Sequence, residues 1–360
     1  MIALVEPGTT LGTPQLFREY GIHERFEISG ITSGIRGIHL NYLASTILSC
    51  LKVPCRLLLT RDLRTAAAGS VLRIPTLIEM HDLPKGRLTD LYFRWATRGT
   101  GFRGIAAITE ALKNDLVERF DRFLSMDDVI VSPDGVELAD YAELPQMAEA
   151  KAMLGIPVEA FVATYAGSFY SGKGMEVVLP LSERCRDVEF LVVGGEEHQV
   201  AEQRRRAAEL NLSNIRLVGR VPPAEVPQYL AASDALLLPN QAVVATSSGT
   251  GNIGRYTSPL KLFEYLAMGR AILASDLPVL KEVLDESCAV FSPPDQIDVW
   301  AQHLGSLREA PRRRDRLRRA AIEKVQHFTW TTRAKQMLTF ASQRQSRRRE
   351  KSEREIRCRN

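Results

Sequence analysis

Residues 162–174 read VATYAGSFYSGKG: a strand-forming run, Val162 to Ala166, breaks into a glycine-rich loop, and a helical pattern comes next. β-Branched and aromatic residues suit a pleated strand, and glycines free the backbone for a tight turn. Strand, glycine loop and helix in that order form the building unit of a parallel α/β sheet. Upstream, strand patterns recur at Ile2 to Val5, Arg56 to Leu59, Thr76 to Ile78, Ile105 to Ile108 and Val129 to Val131. Downstream they recur at Glu189 to Val193, Ile215 to Val218, Ala235 to Leu238, Ala271 to Ala274 and Ala289 to Phe291, with amphipathic stretches such as Ala111 to Phe120 and Val200 to Leu210 between. The expected fold class is α/β, with two doubly wound Rossmann-like domains facing a cleft. Pro133, Asp134 and Gly135 give a turn signal at the boundary. The expected division is 1–140, 141–342 and a basic, disordered tail at 343–360.

A chain of 360 residues with 45% hydrophobic and 25% charged content is long enough for roughly two domains at about 150 residues each. A single small binding module is thereby disfavoured. Cys50, Cys55, Cys185, Cys288 and Cys358 show neither CxxC spacing nor histidine pairing, which argues against a zinc site and a disulfide framework. No apolar run approaches the ~20 residues that cross a bilayer, and the first eight residues lack the pattern of a signal peptide. A cytoplasmic protein is expected, with peripheral contact at the inner membrane surface as a further option. The net charge of +4 is concentrated late: residues 343–360 hold eight Lys or Arg against three Glu, and Arg312 to Arg319 holds six Arg. Such runs are ordinarily solvated, but they also attract anionic lipid headgroups. Nucleic acid is not expected as a partner, because no aromatic residues interleave the basic run.

Two segments carry chemistry. In the loop Gly167, Ser168, Phe169, Tyr170, Ser171, Gly172, Lys173, Gly174, the glycines let backbone N–H groups approach a phosphate and Lys173 adds a cation. The plain alternative is a glycine turn with a solvated lysine. The spacing also matches GxxxxGK of a P-loop, but Gly174 stands where magnesium-binding Ser or Thr belongs, and no later strand ends in the required aspartate. The second segment is Tyr256-Thr-Ser258-Pro259-Leu260-Lys261-Leu-Phe263-Glu264-Tyr265. Ser258 suits an N-cap and Pro259 the first helical position, so free N–H groups at this helix start can hold a diphosphate. Leu260 and Phe263 are expected to face the sheet, and Lys261 and Glu264 to lie elsewhere on the helix surface. Glu264 is placed to accept hydrogen bonds from ribose hydroxyls; otherwise it is a solvent-facing carboxylate.

Ser258 to Tyr265, with Gly269 and the Asp276-Leu277-Pro278 turn, resembles the donor-site signature of glycosyltransferase family 4 (glycosyl transferases group 1), a GT-B-fold family. Tyr165 to Gly174, Asn214 to Pro239, Ser132 to Val136, Ile105 to Leu116 and Pro75 to Pro84 (PTLIEMHDLP) are similar to other blocks of that family, in its order. The resemblance implies a retaining, metal-independent glycosyltransferase moving a sugar from a nucleotide-diphosphate sugar to a glycan, lipid-linked or small-molecule acceptor. No cofactor beyond the donor substrate is implied. His81 and Lys173 take the catalytic positions. Gly167, Ser168, Gly172, Gly174, Tyr256, Ser258, Pro259, Leu260 and Glu264 line the donor site, and no metal ligand is expected.

Three departures qualify this. Tyr256 stands where the family usually has a sugar-touching Glu, eight residues before Glu264. An arginine that often partners the lysine is replaced by Ser168 or Phe169, leaving Arg255 or Arg220 as candidates. Ile2 to Val5, leading toward the helix-like Pro14 to Tyr20, resembles the family's second strand, so the N-terminal domain reads as lacking its first strand and helix, and the expectation is either that Met1 is not the biological start or that this is a truncated gene product. The alternative function is accordingly a nucleotide-sugar-binding protein without turnover, and an epimerase of the same fold is a third reading.

Overall fold

In a computed structural model, residues 2–5, 27–30, 43–44, 46–48, 50–51, 55–244, 252 and 254–357 are described. The chain divides into two compact units, one of residues 1–133 with 333–360 and the other of residues 134–332. The expected helix at Pro14 to Tyr20 lies outside the described residues.

The second unit is a six-stranded, all-parallel sheet. Its strands are β7 (Val162–Ala166), β8 (Glu189–Val193), β9 (Ile215–Gly219), β10 (Ala235–Leu238), β11 (Ala271–Ser275) and β12 (Ala289–Ser292), in the spatial order β12-β11-β10-β7-β8-β9. Strands β7, β10 and β11 are buried at every position, which is why they read as continuous apolar runs and not as alternating ones. The two sheet faces each pack a separate core, one around Leu236, Phe263 and Ile272, the other around Phe190, Leu237 and Trp300. The winding reverses between β7 and β10, whose register pairs Ala163 with Ala235. In open α/β sheets that reversal opens a crevice beyond the carboxyl ends of the strands, where ligands bind.

The first unit holds a four-stranded parallel sheet of β3 (Leu58–Thr60), β4 (Thr76–Met80), β5 (Phe102–Ala107) and β6 (Val129–Val131), in that spatial order. Strands β1 (Ile2–Val5) and β2 (Glu27–Gly30) pair in parallel as a separate two-stranded sheet. The helices in chain order are α1 (Leu63–Val71), α2 (Arg87–Arg98), α3 (Glu110–Arg119), α4 (Met147–Met153), α5 (Met175–Arg184), α6 (Glu197–Glu209), α7 (Val226–Ala231), α8 (Leu260–Met268), α9 (Pro278–Lys281), α10 (Ile297–Glu309), α11 (Pro311–Val325) and α12 (Trp330–Arg357).

Two expectations change here. The stretch 343–360, read as a disordered tail, is helical through Arg357, because it continues α12. From Arg333 onward α12 also belongs to the first unit and not to the second: Met337 packs with Leu77 of β4 and Ala106 of β5, Phe340 lies against that cluster, and Arg344 is ion-paired to Asp128. Burying such apolar side chains contributes roughly 1.5–3 kcal/mol each, enough to hold the polar helix on the sheet. Among the described residues, no helix is long and apolar enough to cross a membrane.

Candidate functional site

Within the second unit, the loop after β7 and the start of α8 meet at the strand-order reversal. The Tyr165 side chain supports the loop from below. Its hydroxyl donates to the Ser168 carbonyl at 2.7 Å and stands 3.1 Å from that of Lys173. Gly172 and Gly174 have positive φ values of 80° and 133°, and a side chain at either would collide with the segment after β10. A Cβ on Gly172 would fall 2.0 Å from the Val243 carbonyl oxygen, and one on Gly174 2.5 Å from Pro239 Cγ. Glycine is therefore required by close approach as well as by φ.

The loop amides have protein partners: Gly172 N donates to Glu176 Oε1 at 2.7 Å and Gly174 N reaches Glu176 Oε2 at 3.3 Å. Glu176, in the first turn of α5, places a carboxylate against the amides expected to meet phosphate. Lys173 is half-buried, and burial pulls its ammonium below the usual lysine range. Asn240, just beyond β10, is fully buried with neither polar side-chain atom bonded. Its amide is unmet hydrogen-bonding capacity near the reversal point.

Helix α8 departs from expectation at its start. Pro259 is the N-cap and Leu260 the first helical residue, and no side chain caps the helix. Ser258 Oγ instead accepts from the Asp134 amide at 3.2 Å. The buried stripe also differs from expectation. Leu260, expected against the sheet, is half exposed, whereas Lys261, expected on the surface, is buried together with Leu262, Phe263, Tyr265 and Leu266. The Lys261 Nζ donates to the Lys173 carbonyl at 3.0 Å and lies 4.2 Å from the Tyr165 ring centroid. Burial, reinforced by the charge of Lys173, brings its ammonium down to about 7. Glu264 is partly buried and not solvent-facing. Burial pushes its carboxyl up to about 7, against the opposing pull of Lys261. Tyr256 is buried, with Arg255 over its ring at 6.0 Å. Arg220 is ion-paired to Glu196 at 3.5 Å. Lys261 is thus a cationic side chain that reaches the loop from α8, at the Lys173 carbonyl and beside Gly167.

In the first unit, β4 ends in a buried carboxylate that the sequence reading passed over. Glu79 Oε1 accepts from Arg61 Nη2 at 2.7 Å, His81 Nε2 at 2.7 Å and Arg333 Nη2 at 3.0 Å. Burial alone would raise this carboxyl, but the His81 hydrogen bond and the charges of Arg333 and Arg61 hold it well below the usual glutamate range. His81 is thus oriented by Glu79, with about a third of its side chain exposed. Glu79 escaped notice because a lone Glu in an apolar strand has no sequence partner. Arg61 and Arg333 lie 18 and 254 positions away.

Two parallel α/β sheets, of which the second is doubly wound with a glycine loop at its reversal point, match the GT-B glycosyltransferase fold. Anabaena HepE in complex with UDP shares it at TM-score 0.73, with 14% identity over 95% of this chain and 99% of that one. Residues 160–309 match the family model described as Glycosyl transferases group 1, which bears out the resemblance read from Ser258 to Tyr265. The phosphatidyl-myo-inositol mannosyltransferase of Mycolicibacterium smegmatis is 28% identical over 62% of this chain and 54% of its own length. The 2-deoxystreptamine glucosyltransferase of Streptomyces kanamyceticus is 26% identical over 70% of this chain and 78% of its own. The chain spans about half the length of most of the curated relatives it matches, 54% for the mannosyltransferase.

Proposed function

We propose that this protein is a retaining, metal-independent glycosyltransferase that takes its sugar from a nucleoside-diphosphate donor held in the second unit. The observation that carries the reading is the meeting of Lys173, Lys261 and the glycine loop at the strand-order reversal of a sheet that matches the group 1 family model. Fixed cations and amide dipoles aimed at a leaving diphosphate stabilise the charge that develops as the glycosidic bond breaks, without a covalent intermediate on the protein. Lys173 and the backbone N–H groups on either side of Pro259, those of Ser258 and Leu260, bind the diphosphate, Glu264 the ribose hydroxyls, and Tyr256 the sugar-facing end. His81, fixed by Glu79, serves the transferred sugar. The solved neighbour with UDP favours uracil as the base. Both curated relatives named above act on cyclitol acceptors, so polyhydroxylated rings, free or lipid-linked, are the first acceptors to try.

A thermal-shift panel of UDP, GDP and ADP tests the donor half. A ligand at a hundred times its Kd adds about 2.7 kcal/mol of stability, which one nucleotide should show and the others not. Release of UDP from a UDP-sugar only when acceptor is added tests transfer. Binding without release would leave a nucleotide-sugar-binding protein, and absence of any nucleotide shift would remove the donor site itself.

A further inference from the structure

The Lys261 ammonium is the most anomalous charge in the second unit. Its side chain is buried, yet its interactions among the described residues are one hydrogen bond, to the Lys173 carbonyl, and the face of Tyr165. An ammonium has three donors, and a buried one ordinarily has a counter-ion. Here no carboxylate lies within ion-pair reach among the described residues. Glu264 and Glu176 act on it only at longer range, and the cation Lys173 opposes it. Tyr165 and Tyr265 are held neutral by burial, so neither phenol supplies the missing negative charge. The position is nevertheless next to the loop: a Cβ built on Gly167 would lie 3.6 Å from the Lys261 Nζ.

We propose that Lys261 is the second cation of the donor site, a positioning residue whose missing counter-ion is the bound diphosphate, so that nucleotide binding draws a proton onto its Nζ. The inference rests on the donor-site reading above. Without ligand, burial leaves the amine mostly neutral above about pH 7. A diphosphate beside the loop supplies negative charge, raises the affinity of Nζ for its proton, and one proton passes from solvent to the amine. The lysine then holds the Lys173 carbonyl, and with it the loop, in the ligand-bound arrangement. This compensates for the arginine that the loop lacks at Ser168 and Phe169.

The test is calorimetric titration of the full chain with UDP at pH 8 in two buffers of different ionisation enthalpy. UDP itself is fully ionised there, its last phosphate proton leaving near pH ~6. Wild type should take up close to one proton per UDP, and its affinity should fall about tenfold per pH unit between 7.5 and 9. Lys261→Met should show no uptake, a flat profile and an affinity at pH 7 lower by tenfold or more. Lys173→Arg, which keeps a permanent charge at the neighbouring position, should retain the uptake and so exclude Lys173 as its source. Uptake in Lys261→Met equal to wild type, or none in wild type despite tight UDP binding, overturns the proposal. If Lys261→Met does not fold, uptake retained in both Lys173→Arg and Glu264→Gln still decides for Lys261, because Glu264 is the other group of the site brought to about 7, and uptake lost in Glu264→Gln overturns the proposal. No binding of UDP by wild type overturns the donor-site reading instead.

Discussion

The glycine loop of the second unit and the Glu79 cluster of the first treat buried charge in opposite ways. Glu79 is satisfied three times over, by Arg61, His81 and Arg333 converging on one oxygen. Lys261 and Glu264, three residues apart on α8, are respectively buried and partly buried with little to answer them, and burial moves both toward neutrality at about pH 7. A charge surrounded by partners is fixed at all physiological pH values and serves to orient its neighbours. A charge without partners is destabilising until a ligand arrives, and that cost makes it responsive. The first cluster is built to hold His81 still, and the second to change state when something binds.

The largest effect expected from breaking this contrast is at Glu79. Glu79→Ala would leave Arg61, His81 and Arg333 without their shared acceptor and should destabilise the first unit by about 3–5 kcal/mol, read from urea unfolding. A loss under ~1 kcal/mol would mean that the cluster is loosely held. The sign with pH comes from its depressed carboxyl: the contribution is fully present above the ordinary glutamate range, near ~4.3, and is lost as pH falls below it.

Lys173→Ala should come next, with UDP affinity reduced by a hundredfold or more, about 2.7 kcal/mol, and unfolding stability nearly unchanged. Unchanged affinity would remove Lys173 from the site. Glu264→Gln should act through pH. A carboxyl raised to about 7 when folded binds more protons than the unfolded chain between ~4.3 and that value, so stability declines as pH rises across the window. The variant should flatten that slope by roughly 1–3 kcal/mol in unfolding midpoints taken from pH 4.5 to 7.5. A slope identical to wild type would place Glu264 in contact with water. Tyr165→Phe should be mildest, costing about 1 kcal/mol through the lost hydrogen bond to the Ser168 carbonyl, seen as faster amide exchange in residues 167–174.

Much of the second unit was legible in the chain. Val162 to Ala166 and Glu189 to Val193 match the observed strands to the residue, because fully buried parallel strands are short apolar runs ended by glycine or polar turns. The glycine loop was visible too, because its glycines sit where the chain approaches itself closely. The capping of α8 was less legible. Ser-Pro at a helix start is a strong signal, yet the Ser258 hydroxyl serves the Asp134 amide, and the way the helix docks buries Lys261 and leaves Leu260 half exposed.

By itself the sequence determined the alternation of strand and helix, the glycine loop with Lys173, and the likeness of Ser258 to Tyr265 to a nucleotide-sugar site. All of these rest on contacts between near neighbours in the chain. Only the tertiary structure decided that the C-terminal stretch from Arg333 returns to the first unit, that Glu79 anchors His81, and that Lys261 lies beneath the loop. Each depends on residues brought together from 18 to 254 positions apart, and on burial, which alters the charge of a side chain without altering its letter.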